Sequence, residues 1–313
     1  MLFSILIAHY NNAKFLENCL QSVINQSSND WEIILVDDGS TDHFEEVIES
    51  YSHLDKLHVY RNECNMGCGY TKWRCASLAN GEILGFLDPD DALEPEAIEI
   101  MSRLHHENPG CSLIHSSHYV CDSDMRKRRV SEYTRAIPEN SSYLLLSDGR
   151  VHHFASFKSS CYKNTEGISR EIQKAVDMDM YYKLEETGNI KFVDKPLYQY
   201  RIHKGGISTM GKEAEANRWH YDIIEAACRR RIAQLLYQSV PDKVLLKKYK
   251  ARYYKIRIIN SFRKKEWRKT AFSILPFFLH GGFPNFISYM GKLVRSGPAV
   301  LKRTFHYNHE IKV

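Results

Sequence analysis

Three aspartates stand within four positions at the end of the apolar stretch GEILGFLDPDDALEP (81–95). They are Asp88, Asp90 and Asp91. Like charges this close together repel, so the cluster is costly unless something offsets it. A hard divalent cation would do so, and Mg²⁺ or Mn²⁺ typically takes only one or two protein carboxylates, which leaves coordination positions for water and a diphosphate. Alone, an Asp-x-Asp pattern is a weak signal, because surface turns are rich in aspartate.

A second acidic strand end strengthens this interpretation. EIILVDDGS (32–40) also passes from apolar residues into two acids, Asp37 and Asp38. The polar segments HYNN (9–12) and NECNMG (62–67) follow other apolar runs. Parallel sheets bind their ligands at the carboxyl ends of the strands, so these groups predict a binding site along one edge of a sheet.

The elements that must position these groups alternate along the first 120 residues. Strands are predicted at 4–10, 32–40, 57–62, 82–88 and 112–120, and helices at 13–26, 41–51, 71–80 and 95–107. Strands that alternate with helices form right-handed βαβ units. We therefore predict an α/β protein with a mostly parallel central sheet.

The following residues are less regular. Residues 121–150 are predicted to form a solvated loop, and 147–168 a loop that would cover the site. A helix is predicted over 173–190, and a strand pair or an extended segment over 190–203.

Charge is divided unevenly along the 313 residues. Residues 1–211 contain 21 Lys/Arg and 31 Asp/Glu, whereas residues 212–313 contain 22 Lys/Arg and 7 Asp/Glu. Such a split suggests two parts with different partners. We predict one domain over 1–211 and a basic, mainly helical region over 212–313.

The eight cysteines form no C-x-x-C pair, which argues against a zinc ribbon. We expect buried or idle thiols in a reducing cytosol, with Cys64, Cys68 and Cys75 as metal ligands the less favoured alternative. The N-terminus has no basic segment before its short apolar run, unlike a signal peptide. No run of about 20 apolar residues is present to span a membrane. A cytoplasmic protein is expected.

The order of the motifs resembles that of the inverting nucleotide-sugar glycosyltransferases of family 2, which have the GT-A fold. The similarity covers roughly residues 2–100, from SILIAHYNN to LGFLDPDD, and resumes at AVDMDMYYKL (175–184) and PLYQYRIHKGGIS (196–208). It implies an inverting hexosyltransferase that uses Mn²⁺ or Mg²⁺. The implied donor is a nucleotide-sugar, expected to be a UDP-sugar, and the implied acceptor is a glycan or a lipid-linked saccharide. Within the catalytic domain, the nucleotide-sugar half would occupy about 1–120 and the acceptor half about 121–211.

The resemblance also implies roles for single residues. Asp177 matches the general base, which would take the proton of the acceptor hydroxyl. Residues implied at the donor nucleotide are Ala8, Tyr10, Asp37, Asp38, Asn65, Gly67, Lys72 and Asp88. Residues implied at the metal are Asp88, Asp90, Asp91 and His203, and the division of labour among the three acids stays open.

The chain departs from the family pattern at two places. Val176 stands where the family usually has glutamate just before the base, and Lys72-Trp73 stands where an Arg-Asn pair is usual. Lys72 would keep the positive charge without the bidentate fork of arginine. Asp179 lies only two positions from Asp177, but residues i and i+2 of a helix face different ways. Only one of the two can therefore face the acceptor, and the resemblance implies that this acid, the base, is Asp177.

The basic region mixes Lys/Arg with aromatic and aliphatic residues, most clearly over 240–272. A helix of this kind can lie on an anionic lipid surface, and we predict peripheral contact with the inner membrane, on its cytoplasmic face, through 240–295. A solvated helical bundle and a dimer interface are the alternatives, so a homo-oligomer stays open. Nucleic-acid binding is not expected, because no recognition motif accompanies the charge.

The motifs that two other classes of enzyme require can be compared with the sequence. A nucleotidyltransferase would need a glycine-rich basic loop after the first strand, which HYNNAKF (9–15) is not. A dinucleotide-dependent oxidoreductase would need G-x-G-x-x-G, but Gly67-Cys68-Gly69 is followed by Lys72. The alternatives are a nucleotidyltransferase and a catalytically inactive sugar-nucleotide-binding or scaffold protein, for which Val176 is the one indication.

Overall fold

A computed structural model describes residues 1–203, 213–282 and 284–288, and of residues 213–217 it describes the backbone only. The chain divides into two compact units. One comprises Met1–Ile137 and Gly149–Gly206, and the other comprises Pro138–Asp148 and Ile207–Val313. The predicted domain boundary at residues 211 and 212 lies outside the described residues.

The first unit holds all the described strands. They are β1 (Phe3–His9), β2 (Trp31–Asp37), β3 (Leu57–Arg61), β4 (Ile83–Phe86), β5 (Ala92–Leu93), β6 (Cys111–Cys121), β7 (Lys127–Val130), β8 (Ala155–Lys158) and β9 (Asn189–Arg201). The first seven helices of the chain are α1 (Ala13–Ile24), α2 (Phe44–Glu49), α3 (Cys68–Leu78), α4 (Ala97–Glu107), α5 (Tyr143–Leu146), α6 (Ser159–Lys163) and α7 (Val176–Leu184). Of these helices, α5 belongs to the second unit.

Within the described residues the strands form one sheet, in the order β3-β2-β1-β4-β8-β6-β9-β5, with β7 paired to β6. The strands β1 to β4 pair in parallel, and so do β6 and β9. Between these two groups, β8 is antiparallel to both β4 and β6. The α/β fold class is confirmed, and the carboxyl ends of β1, β2, β3 and β4 share one edge.

The centre of the sheet is apolar because helices cover it. All seven residues of β2 are buried, as expected for a central parallel strand. Helix α1 buries Leu16, Cys19, Leu20 and Val23, which recur at the spacing of one helix face. These side chains join those of β1 and β2 in a single core.

Two predicted loops were wrong in part. The stretch 121–150 contains β7 and α5, and the stretch 147–168 contains β8 and α6. These elements have only four or five residues, too few for a period of 2 or 3.6 to be recognisable. The segment predicted as a strand pair or extended chain is the single strand β9, paired mainly with β6.

The second unit is helical where it is described. Besides α5 it contains α8 (Glu213–Leu236), α9 (Lys243–Arg263) and α10 (Trp267–Gly281). Asp242 caps α9 by accepting hydrogen bonds from two backbone N–H groups, each at 2.9 Å. Asn260 of α9 donates to Asp222 at 2.6 Å and to Glu225 at 2.8 Å, which ties α9 to α8. Within the described part of the chain, no helix combines the length and the apolar character needed to cross a bilayer.

Candidate active site

The carboxyl ends of β1 and β2 are joined by a buried pair of side chains. Nδ1 of His9 lies 3.0 Å from Oδ1 of Asp37. The other oxygen of Asp37 accepts a hydrogen bond from the backbone N–H of Ser40 at 3.1 Å and lies 3.4 Å from Nε of Arg61. Both carboxylate oxygens of Asp37 therefore have protein partners, and this acid fixes the turn that follows β2.

Asp38 organises the loop after β3. Its carboxylate accepts hydrogen bonds from Asn62 Nδ2 at 2.6 Å, from the N–H of Met66 at 2.8 Å and from the N–H of Gly67 at 2.9 Å. Gly67 has a φ of 90°, in the left-handed region that glycine favours, and α3 begins at the next residue. Asn65, in the same loop, is exposed.

Two further residues implied at the nucleotide lie at the end of β1. Ala8 is half-buried, and Tyr10 is 44% exposed. The next residue, Asn11, accepts a hydrogen bond from the N–H of Thr41 at 2.9 Å, which fixes this rim against the turn after β2. The ring of Tyr10 is therefore accessible on an anchored backbone.

The acids after β4 point in different directions, and Asp91 points inward. Only 2% of Asp91 is exposed, and its carboxylate accepts hydrogen bonds from Tyr198 Oη and from the N–H of Arg201, each at 2.7 Å. Burial, together with the charges of Asp90 and Asp88, raises the pKa of Asp91 well above its ordinary value. Asp91 thus fastens the acidic turn to β9.

Asp90 faces a histidine from the end of β9. Its Oδ2 lies 2.8 Å from Nε2 of His203, whose ring packs against Phe15 with centroids 4.6 Å apart. Arg201 donates through Nε to the carbonyl oxygen of Asp90 at 2.6 Å. The structure therefore brings together two of the residues that the sequence analysis implied at a metal.

Asp88 and Asp177 meet at one lysine. Nζ of Lys72 lies 2.9 Å from Oδ1 of Asp177 and 3.3 Å from Oδ1 of Asp88. Burial opposes the charge of Lys72, but Asp177 and Asp88 outweigh burial and raise the pKa of Lys72 well above its ordinary value. Burial would also raise the pKa of Asp88, yet Lys72 and His153 outweigh it and hold that pKa below its ordinary value.

The sequence analysis assigned no role to His153 or Tyr198. Nε2 of His153 lies 3.6 Å from Oδ2 of Asp88, and its ring stacks on Tyr198 with centroids 5.0 Å apart. Tyr198 Oη accepts a hydrogen bond from the N–H of Asp88 at 3.2 Å and donates to Asp91. The only sequence signal was the His152-His153 pair, which falls in the stretch predicted to cover the site.

Helix α7 separates its two acids. The Asp177 side chain is 28% exposed and faces Lys72. Asp179 is buried, and its Oδ2 accepts hydrogen bonds from Ser169 Oγ at 2.8 Å and from Lys183 Nζ at 2.7 Å. Val176 is also buried, so the position where the family usually has an acid belongs to the interior in this chain.

The donor atoms near Asp90 suit a small divalent cation. Across the residues that the structure describes, no group of three or more His, Cys, Asp or Glu side chains is arranged to hold a metal. The eight cysteines are free thiols, and five of them are buried. Asp90 and His203 supply one oxygen and one nitrogen, which is enough for a cation that takes most of its ligands from a diphosphate and water. The carboxylate oxygens of Asp90 suit Mn²⁺ or Mg²⁺, both of which prefer oxygen ligands.

The sequence matches one protein family and is similar to two named synthases. Residues 4–164, just over half of the chain, match the family described as Glycosyl transferase family 2. Chondroitin synthase of Escherichia coli is 29% identical over 270 residues, which cover 86% of this chain and 36% of that protein. Hyaluronan synthase of Pasteurella multocida is 29% identical over 250 residues, which cover 79% of this chain and 25% of that protein. The chain thus spans about a third or less of the length of these relatives.

Solved structures share the fold. S. aureus TarS 1-349 in complex with UDP-GlcNAc has a TM-score of 0.66 and 19% identity, covering 96% of this chain and 88% of that one. The mannosyltransferase PcManGT from Pyrobaculum calidifontis, in complex with GDP-Man and Mn²⁺, has a TM-score of 0.55 and 13% identity, covering 96% and 83%. The fold is the GT-A fold of glycosyltransferases. With its acidic strand ends on this fold and its matching family segment, the chain belongs to glycosyl transferase family 2.

Proposed function

We propose that the protein transfers a sugar, with inversion, from a UDP-sugar to a hydroxyl group of a glycan or a lipid-linked saccharide. The observation that carries the proposal is the contact of Lys72 with both Asp88 and Asp177. In a direct transfer, the sugar donor and the protein group that deprotonates the acceptor must lie at one reacting centre. The acid expected beside the donor and the acid expected beside the acceptor share one buried ammonium group.

The proposed nucleotide site is the rim formed by Ala8, Tyr10 and the loop that Asp38 holds. The exposed ring of Tyr10 offers a face for stacking with a base. Among the described residues, Gly67 is the one hydrogen-bond donor to Oδ2 of Asp38, so this oxygen retains capacity to accept the N–H of a uracil edge. The UDP-GlcNAc complex of TarS, which shares the fold, supports a uridine nucleotide.

The proposed cation ligands are Asp90 and His203, with Asp88 beside them. When bound, Mn²⁺ or Mg²⁺ would neutralise the charge that develops on the leaving diphosphate. Asp91 has a different role in this proposal, because both of its oxygens already accept hydrogen bonds from β9. It positions the turn that carries the other two acids.

The proposed general base is Asp177. Lys72 holds its Oδ1, which leaves Oδ2 to accept the proton of an acceptor hydroxyl. The hydroxyl oxygen then bonds to the anomeric carbon as the bond from that carbon to the diphosphate breaks, and the nucleoside diphosphate leaves. The side chain is 28% exposed, so an acceptor can reach it. The names of the chondroitin and hyaluronan synthases support a glycan as acceptor.

We also propose that the second unit contacts an anionic lipid surface from the cytoplasmic side. Helix α10 exposes Trp267, Phe272, Leu275 and Leu279, and exposed Lys264, Lys265, Arg268 and Lys269 lie at its start. Apolar and basic side chains on one helix suit an interface of acyl chains and acidic headgroups. Residues 283 and 289–295 of the predicted membrane-contacting stretch lie outside the described residues. A homo-oligomer through the same helix is the alternative.

The test is release of nucleotide from a panel of UDP- and GDP-sugars, with glycan acceptors, in Mn²⁺ and in chelator. We expect release that depends on acceptor and cation, and that falls in Asp177→Asn but not in Asp194→Asn, a change at an exposed acid of β9. Binding of a nucleotide-sugar without release from any donor would overturn the proposal in favour of an inactive binding protein.

A further inference from the structure

We infer that Lys72 is a positioning residue for the base Asp177, which it couples to Asp88, rather than primarily a ligand of the donor phosphates. The inference rests on the proposed function, because it takes Asp177 as the base. The sequence resemblance implied only that Lys72 lies at the nucleotide.

The first support is the burial of the ammonium group. Lys72 is 5% exposed, and its Nζ lies 5.0 Å from the centre of the Phe86 ring. A buried cation needs compensating charge, and Asp177 and Asp88 supply it at 2.9 and 3.3 Å. In the structure, the charge of Lys72 is therefore already neutralised by protein carboxylates.

The second support is the closeness of the two acids. Because both contacts share Nζ, the Oδ1 atoms of Asp88 and Asp177 lie no more than 6.2 Å apart, the sum of the two distances. Two carboxylates this close repel unless a cation lies between them. Without the ammonium group, Asp177 would turn away, and the base would leave the position from which it reaches the acceptor.

The third support is the packing that fixes Lys72 relative to α7. A Cβ atom on Gly69 would lie 2.3 Å from the carbonyl oxygen of Ile172, so only glycine allows α3 to approach this segment. The guanidinium group of Arg170 lies 3.7 Å from the centre of the Trp73 ring. The segment leading into α7 is thus packed on α3, the helix that carries Lys72. The two contacts together fix the position of Asp177 relative to Lys72.

Kinetics of Lys72→Met separate the two roles. A misplaced base lowers the rate of the bound complex, so we expect kcat for transfer to fall by roughly 10- to 100-fold while the donor KM changes by less than about 3-fold. Lys72→Arg keeps the charge and should recover part of the loss. Lys163→Met, at an exposed lysine of α6, is the matched control. A raised donor KM with an unchanged kcat would overturn the inference.

A second measurement, of stability, does not require the protein to be enzymatically active. The free energies of unfolding in urea of the wild type, Lys72→Met, Asp177→Asn and the double variant form a double-mutant cycle. We expect the double variant to be less destabilised than the sum of the single changes, because the neutral amide that replaces Asp177 no longer repels Asp88. Additive effects would overturn the coupling. If the wild type released no sugar from any donor, the proposed function would fail, while the cycle would still decide whether Lys72 and Asp177 are coupled.

Discussion

Nε2 of His203 lies 2.8 Å from Oδ2 of Asp90, although the two residues are 113 positions apart in the chain. His203 follows β9, and Asp90 lies in the turn between β4 and β5. Phe15 packs on the imidazole, and Arg201 holds the backbone of Asp90. The pair is therefore held in place in the structure, and a cation bound by both residues would replace the contact between Nε2 and Oδ2.

Removal of one member of this pair should weaken cation binding. For His203→Ala, we expect the Mn²⁺ concentration that gives half-maximal nucleotide release to rise by roughly 10-fold or more, because one of two protein donor atoms is lost. His106→Ala, at an exposed histidine of α4, should leave it unchanged. Equal Mn²⁺ dependence of His203→Ala and wild type would remove His203 from the proposed cation site.

Substitution of Asp177 should mainly lower activity, whereas substitution of Asp179 should mainly lower stability. Asp177→Asn should lower kcat roughly 100-fold or more, because the variant cannot accept a proton, and should destabilise the fold less than Asp179→Asn does, because Asp88 still compensates the charge of Lys72. Asp179→Asn should instead destabilise the fold by about 3 kcal/mol, because Lys183 stays buried without a full counter-charge. Steady-state transfer rates and urea unfolding of the two variants check this assignment. The reverse pattern would place the base at Asp179.

Asp38 should stabilise the loop after β3, which is proposed to contact the nucleotide. In Asp38→Asn, one acceptor oxygen is replaced by an NH₂ group that faces N–H donors, so we expect a loss of about 1–3 kcal/mol in the free energy of unfolding. The donor KM should rise as the loop loses its anchor. Asp55→Asn, at an exposed turn, is the control for chemical denaturation and kinetics. An unaltered donor KM would argue against this loop as part of the nucleotide site.

The pKa of Asp91 predicts a dependence of stability on pH. Its native pKa is raised, so the native state keeps a proton that the unfolded chain, with an aspartate pKa of about 3.9, has already lost. As pH rises from about 4 towards the native pKa, ionisation of Asp91 therefore lowers the free energy of unfolding. Asp91→Asn cannot ionise.

The difference in unfolding free energy, Asp91→Asn minus wild type, should accordingly become more positive as pH rises through this window. Urea unfolding at several pH values measures it. The charged groups closest to Asp91 are Asp88, Asp90 and Arg201, and they remain in the variant, so their own titration largely cancels in the difference. A difference that does not change with pH would show that Asp91 has an ordinary pKa in the folded protein.

The exposed face of α10 should determine lipid binding. Replacing Phe272, Leu275 and Leu279 with serine should reduce co-sedimentation with vesicles that contain phosphatidylglycerol, since the inserted apolar area is lost. Val130→Ser, at an exposed apolar residue of β7, is the control. Failure of the wild type to bind such vesicles, or a protein mass that rises with concentration, would favour an interface between copies of the chain.

The first 120 residues were largely predictable from the sequence because their strands are apolar runs bounded by polar turns. The strands β1, β2 and β3 differ from their predicted limits by three residues or fewer at each end. Helix α3 starts three residues earlier than predicted, at Cys68, because Gly67 supplies the backbone geometry that opens it.

The candidate site was predictable only as a set of residues. Sequence spacing does not reveal that Asp91 faces Tyr198, 107 positions away, or that Lys72 contacts Asp177 across 105 positions. His153 was missed for the same reason, since its contact with Asp88 depends on the placement of β8 beside β4. Long-range packing decides which acids face the candidate site and which face the core.

The late arrival of β9 has a consequence for synthesis on the ribosome. The strands β1 to β4 can pair once residue 86 has emerged, but the groups that fasten Asp91 and flank Asp90 follow more than a hundred residues later. At ordinary elongation rates this delay is on the order of ten seconds. A nascent chain, or a fragment that stops before β9, would therefore have the proposed nucleotide rim without a finished acidic turn.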